Sequence, residues 1–340
     1  MPKNVMIFDL RHPPQFAATG REIYRAALDM CAWADEQGFV RLGLGEHHQS
    51  PDGYIPAPLL VASAIGARTK SVRVRISILL APLYDPIRLA EEIAVADLCL
   101  DGRLDIGLGV GYVEHDFTMF GADYHRRGDA LDDLVPLLRR AWTGQSFDYR
   151  GTTVRVTPRP VQDPMPIYLG GSSPRGIERA VQLGDGFFPP GMPTGWRKYR
   201  ARCLELGRRD PGEYPARGPI FLWVTKESKD RVWERLAPHV RHQIDSYAAW
   251  TTGAYGRPDG PFVPSRDIAG SPRTKLGSVE SLRQGGAYEV LDPDEAIALA
   301  ERLGPEGELY FNPLLAGIDP AEAWKMLDLV EREVFPSLVR

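Results

Sequence analysis

The 340 residues suffice for one large domain or two ordinary ones, and 43% hydrophobic against 25% charged side chains describe a globular, core-forming chain rather than a disordered one. A net charge of -4 gives no reason to expect nucleic acid or an anionic membrane as partner, and no apolar run reaches the ~18 residues of a membrane span. Cys31, Cys99 and Cys203 lie far apart in predicted helices, without metal-ligand spacing or an even framework, so buried thiols in a reducing compartment are expected.

In chain order, the N-terminus runs without a signal-peptide pattern into an apolar strand, Asn4–Leu10, and a cytoplasmic protein is expected. Arg21–Gln37 has helical spacing through Ile23, Ala27, Met30, Cys31 and Ala34, and Gly38 closes it. Phe39–Gly45 is the second strand, with Glu46-His47-His48 at its C-terminal end; Pro58–Arg68 is a small-residue helix. Val72–Leu80 is rich in β-branched residues and Leu, as in a strand covered on both faces. Asp85-Pro86 offers an N-cap and a first-turn proline, Leu89, Ile93, Ala96 and Leu100 share a helical face, and Gly102 suits a left-handed exit. Leu104–Gly111 is a strand ending in glycines, so Val72–Gly111 reads as a right-handed parallel crossover.

A helix follows over Arg126–Thr143, then a small hairpin over Phe147–Pro160. Strand Ile167–Gly171 precedes helix Pro174–Leu183, strand Asp185–Pro189 a helix near Thr194–Arg208, and strand Ile220–Val224 a helix near Asp230–Trp250. Thr251–Tyr288, rich in Gly, Pro and charge, breaks the pattern and reads as a lid or mobile binding loop. A short helix near Pro293–Leu303 leads to strand Glu308–Asn312, and the helix Pro320–Val334 ends the chain. Eight strand–helix repeats without a linker predict an α/β fold, a (β/α)8 TIM barrel forming a single domain over 1–340, with an insertion between strands seven and eight at 251–288. A doubly wound sheet would prefer a phosphate loop after strand one, and Leu10-Arg11-His12-Pro13-Pro14 is no such loop.

Barrel chemistry sits at the C-terminal strand ends. That rule selects Asp9, Glu46-His47-His48, Ser77–Pro82, Gly109–Gly111, Gly170–Ser173 and Phe188-Pro189. Two adjacent imidazoles beside a carboxylate can donate, accept or shuttle a proton near neutral pH. The competing readings are a polar strand end with Glu46 orienting one His, and a zinc site, for which no further His or Cys cluster supplies ligands. No metal is expected. Gly170-Gly171-Ser172-Ser173-Pro174 follows a strand and opens a helix, where free N–H groups and close backbone approach can cradle a phosphate or form a capped turn. Asp116 could hold a ligand polar group or cap a turn. His12, His125, His239 and His242 are expected on the surface or in lid segments, Arg73 and Arg75 at solvent or an acidic partner, and Tyr247, Trp250 and Tyr255 in one wall of an apolar pocket.

Together these stretches resemble the bacterial luciferase-like, flavin-dependent monooxygenase family over essentially the whole chain. The resemblance rests on Leu44-Gly45-Glu46-His47-His48, Ala81–Pro86 with Ala90-Glu91-Glu92, Asp101–Gly109, Asp116-Phe117 with Phe120-Gly121, Pro166–Ser172 and Gly184-Asp185-Gly186. It implies a barrel binding reduced FMN at its mouth, the FMN coming from a separate flavin reductase. O2 would form a flavin C4a-peroxide that oxygenates a small organic substrate, with His47 or His48 protonating or stabilising it. It further implies a non-proline cis peptide under the flavin ring near Ser77-Ile78, and the flavin phosphate on Gly171, Ser172 and Ser173 with Gly176 nearby. Gly109 and Asp116 belong to the same cofactor set. Where the luciferase subunit has a Cys and an Arg after strand four, this chain has Gly109 and Val110, which removes one phosphate contact. The resemblance also suggests a homodimer through Pro58–Arg68 and Pro86–Leu100. The alternatives are a deazaflavin-dependent dehydrogenase or reductase of the same superfamily, and a non-catalytic flavin-binding protein.

Overall fold

The computed structural model describes residues 1–189, 193–251, 283 and 285–338. Side chains alternate along the strands between two surroundings, and this alternation builds the architecture. In β1 (Lys3–Phe8), Met6 and Phe8 enter the apolar core while Val5 and Ile7 line a central cavity. In β2 (Arg41–Leu44), Leu42 and Leu44 are core and Arg41 and Gly43 face the cavity. In β3 (Arg73–Leu80), Val74 and Ile76 are core and Arg75 and Ser77 face the cavity. The core lies between the strands and the helices, where Met6, Ile23, Leu42, Val74, Leu89 and Ile106 are fully buried, each stabilising the fold by roughly 1.5–3 kcal/mol.

With β4 (Leu104–Gly109), a small hairpin of β5 (Phe147–Tyr149) and β6 (Thr152–Val154), β7 (Ile167–Gly170), β8 (Gly186–Phe188), β9 (Phe221–Val224), β10 (Tyr288–Leu291) and β11 (Glu308–Phe311) the strand set is complete among the described residues. Seven form one parallel sheet in the order β11-β1-β2-β3-β4-β7-β8. The sheet curls, so Phe188 near one edge and Tyr310 near the other line the same cavity. Two features depart from the expected eight-strand ring. β9 pairs in parallel with β10, a strand not anticipated, and the chain before β9 meets the sheet through a bridge from Arg217 to Glu308. β10 directly follows the Gly- and Pro-rich run, and the loop reading of that run, which extends through Tyr288, takes in its first residue. Residues 252–282 lie outside the described residues, and with them most of the expected insertion and lid over Thr251–Tyr288.

The helices start where local chemistry places them. Thr19 and Glu22 form a capping box at α1 (Gly20–Glu36). After α2 (Pro58–Gly66), Asp85 caps α3 (Pro86–Cys99) by accepting from the Ile87 and Arg88 amides, as its Asp-Pro pair predicts, and Gly102 leaves at a φ of +76°. The next are α4 (Glu114–Phe120), not anticipated, α5 (Arg127–Ala141), α6 (Pro174–Leu183), α7 (Pro193–Glu205), α8 (Lys229–Thr251), α9 (Pro293–Leu303) and α10 (Pro320–Leu329). A π-helical turn, Val330–Val334, then joins α10 to a last short turn of helix. Among the described residues no helix is long and apolar enough to cross a membrane. α2 packs on α3 within the chain: a Cβ on Gly66 would lie 2.4 Å from the Cys99 carbonyl oxygen. Cys31 and Cys203 are buried as expected, but Cys99, at the outward end of α3, is exposed.

Candidate functional site

The cavity enclosed by the curled sheet has a volume of about 1580 Å³, above the roughly 300–1,000 Å³ of a pocket for one drug-sized ligand. Its floor, at the N-terminal strand ends, is charged. Arg41 donates to Glu308 at 2.6 Å and Arg217 lies 3.1 Å from the same carboxylate; outside the cavity, Arg73 donates to Asp105 at 2.7 Å, the acidic partner its position predicts. Arg75 lies over the Phe188 ring at 4.1 Å, and burial, then Arg41, lower its guanidinium to about 10.

At the opposite end, Glu46, His47 and His48 leave β2 together and divide their roles. Glu46 is 3% exposed. Its carboxylate accepts from the Leu80 amide at 2.5 Å and the Tyr84 hydroxyl at 2.6 Å, and bonds His48 Nε2 at 2.9 Å. Glu46 therefore fixes the β2 end to the β3–α3 connection. His48 is buried against Phe120, ring centres 4.6 Å apart, and does not line the cavity. His47 does. Its ring stacks on Trp250 at 3.9 Å, meets Tyr54 edge-on at 4.8 Å, and its Nε2 lies 3.3 Å from the Tyr112 hydroxyl. Burial, followed by Arg11 and His48, holds His47 well below the usual imidazole range, so the ring is neutral near pH 7. Gly45 is demanded by this packing, because a Cβ there would meet the Tyr54 hydroxyl at 2.4 Å.

The side wall comes from β3, β4 and β7. The Ser77-Ile78 peptide is cis, where the family resemblance implied one. Ile78 wedges between two glycines: a Cβ on Gly109 would lie 2.4 Å from its Cγ2, and one on Gly170 2.5 Å from its Cδ1. At the β7–α6 corner Gly171 and Gly176 touch backbone to backbone, each leaving no more than 3.3 Å to a Cβ on the other. Ser173 caps α6, its hydroxyl accepting from the Gly176 amide at 3.1 Å. Ser172 lines the cavity beside it. Two arginines reach the cavity near this corner: Arg179, which donates to Asp132 and to the Gly128 carbonyl, and Arg127, whose Nε is buried without a hydrogen-bond partner among the described residues. A backbone cradle at a helix start, two guanidiniums and an orphaned buried N–H fit a phosphate-bearing cofactor.

The structure thus brings Glu46, His47, Ser77, Ile78, Gly109, Gly171, Ser172, Ser173 and Gly176 to one cavity, and leaves His48 and Asp116 off its wall. Asp116 is 1% exposed, its Oδ1 has no hydrogen-bond partner among the described residues, and burial pushes its carboxyl up to about 6. Among the remaining histidines, His125 is exposed as expected. His242 and His239 are half-buried rather than freely exposed. His242 bonds Asp52 at 2.7 Å, and His239 stacks on Phe16 and bonds the Ala316 carbonyl at 2.9 Å. Tyr247 and Trp250 pack edge to face with ring centres 5.1 Å apart, but Tyr247 lines the central cavity and Trp250 a different one; Tyr255 lies outside the described residues. A second cavity of about 580 Å³ is lined by Phe16, Asp52, His242, Ser246 and Trp250, the residue on which His47 stacks. Sequence reasoning passed over Arg11, Asp52, Tyr54 and Tyr112, which pack around His47 or behind it.

The luciferase-like monooxygenase family model matches residues 4–285, and the chain belongs to that family. It is 30% identical over 174 residues to the oxygenase component of a flavin-dependent trigonelline monooxygenase of Acinetobacter baylyi, covering 49% of this chain and 48% of that protein. The chain spans about half the length of several curated relatives it matches, this one included. A longer match, 27% identical over 330 residues and covering 92% of this chain and 94% of the relative, is to an F420-dependent glucose-6-phosphate dehydrogenase of Nocardia farcinica. The oxygenating constituent of 3,6-diketocamphane monooxygenase from Pseudomonas putida, solved with FMN, superposes with a TM-score of 0.72 at 18% identity over 99% of this chain and 98% of that one, a likeness of fold.

Proposed function

We propose that the chain is the oxygenating component of a two-component flavin-dependent monooxygenase, a cytoplasmic (β/α)8-barrel enzyme that takes reduced FMN from a separate reductase. One observation carries the reading: His47 and the Gly171–Ser173 corner line a single cavity with room for a cofactor and a second molecule. Bound reduced flavin would supply two electrons to O2, so that one oxygen atom enters a small organic substrate and the other leaves as water.

The chain's own residues would divide the work. Gly171, Ser172 and Gly176, with Arg127 and Arg179, would hold the phosphate, and the two arginines replace the charge missing at Val110. Ser77 and Ile78 would lie against the ring. His47, neutral and facing the Tyr112 hydroxyl through Nε2, would take up or pass on a proton there. Tyr54, Tyr247 and Trp250 would keep water from that imidazole. Leu60, Val95 and Leu98, exposed apolar residues on α2 and α3, would form the surface of a homodimer.

The long alignment with the Nocardia F420-dependent enzyme favours a second reading, hydride transfer with a deazaflavin and no oxygen. Absorbance titration with FMN and with F420, followed by oxygen consumption with reduced cofactor, separates the two. Tight FMN binding and substrate-dependent oxygen use are expected. Saturable F420 binding with no oxygen use would establish the rival. His47→Ala should leave FMN affinity nearly intact and cut substrate oxidation; unchanged turnover would remove His47 from the chemistry.

A further inference from the structure

We propose that Arg11 is a positioning residue for His47, acting on the imidazole through a cage of three aromatic rings that the two side chains share. Arg11 is 0% exposed, and a buried charge needs compensation to persist. Its guanidinium lies 4.7 Å from the Tyr54 ring centre, 5.2 Å from Tyr247 and 5.0 Å from Trp250. The His47 ring lies 4.8, 5.9 and 3.9 Å from the same three rings. The cation is anchored from behind. NH1 donates to Asp52 at 3.1 Å, and Nε is 3.7 Å from Asp9. Asp52 is itself pinned by His242 and Ser50, and Asp9 accepts from the Ala316 amide at 3.3 Å. A buried positive charge and a buried imidazole are therefore packed against the same three rings, where solvent screens their interaction less than at the surface.

The groups facing His47 come from several elements: Asp9 and Arg11 after β1, Glu46 and His48 beside it, Asp52 and Tyr54 in the following loop, Tyr112 after β4, and Tyr247 on α8, with His242 behind Asp52. Arg11 and His48 oppose a proton on His47, whereas Asp52 favours one. Burial raises the Tyr54, Tyr112 and Tyr247 hydroxyls, so these stay neutral. Arg11 is thus the principal charge that keeps the site's imidazole an acceptor. Its catalytic consequence rests on the reading of His47 given above; its effect on His47 does not.

The test uses the full chain without cofactor, its histidines labelled with 15N, and His47 assigned by comparison with His47→Gln. NMR titration of wild type and Arg11→Lys should show His47 neutral down to the acid limit of the fold. Arg11→Met and Arg11→Gln should bring its midpoint up by about one pH unit or more, and Arg11→Lys, which restores the charge, should not. A neutral variant with native near-UV circular dichroism and an unshifted His47 would overturn the proposal. Should neither neutral variant fold, Arg11→Met/Asp52→Asn, which removes the cation with its counter-charge, is compared with Asp52→Asn alone: the His47 midpoint should be higher in the double variant, and equal midpoints refute the idea. Failure of both cofactors to support turnover would leave this result untouched.

Discussion

In Gly109→Ala the new methyl carbon would lie 2.4 Å from Ile78 Cγ2 and 3.5 Å from Ile78 Cβ. Carbon pairs are most favourable at about 3.5–4.0 Å, so the first contact is impossible and the second ordinary. Cγ2 sits directly on Cβ and escapes only by rotation of χ1. That rotation swings Cγ1 and Cδ1, which already fill the space a Cβ on Gly170 would need. Overpacking of this kind costs about 1–3 kcal/mol. With Ile78→Ala in the background only the ordinary contact remains, and the same Gly109→Ala change should cost little. A double-mutant cycle by urea unfolding, over wild type, each single variant and the pair, should give a coupling of about 1–3 kcal/mol. If Gly109→Ala costs the same in both backgrounds, Ile78 is not the reason for glycine at this position and the wedge argument fails.

Two further outcomes follow from the same packing. The Asp116 carboxyl is raised by burial from 3.8 to about 6, so the folded state holds a proton that the unfolded state has lost. Stability should therefore fall as pH rises between about 4 and 6 and stay low above that window, by up to about 3 kcal/mol. Asp116→Asn should remove this loss, and parallel urea curves for the two proteins at pH 4 and pH 7 would contradict the assignment. At the α6 corner, Ser173→Ala loses the cap on the Gly176 amide and should lower stability by about 1 kcal/mol in thermal melts. Ser172→Ala should leave the melt unchanged and weaken FMN several-fold with no effect on riboflavin; equal weakening of both ligands would move the phosphate elsewhere.

Local signals in the chain located much of this site. Asp85-Pro86 and Gly102 marked the limits of α3 because capping and left-handed exits are properties of two or three adjacent residues. Glu46-His47-His48 and the Gly171–Ser173 corner were legible because the barrel rule sends chemistry to strand ends. What the triplet could not disclose was its division of labour, since Glu46 is consumed by an amide and a hydroxyl 34 and 38 positions away. Arg11 was invisible for the same reason. The carboxylate it donates to is 41 positions on, with Asp9 only two positions before Arg11 as a second counter-charge, and two of its caging rings lie on α8, more than two hundred positions away. His242 read as a surface residue because only the folded chain brings Asp52 to it. β10 and α4 are short segments whose pairing and burial are decided by neighbours rather than by their own periodicity.

Trp250 has a consequence of its own. His47 stacks on its indole at 3.9 Å and the Arg11 guanidinium lies 5.0 Å from its centre, and the same residue lines the second chamber beside Phe16 and His242. A molecule lodged in that chamber would therefore touch the ring on which the imidazole rests.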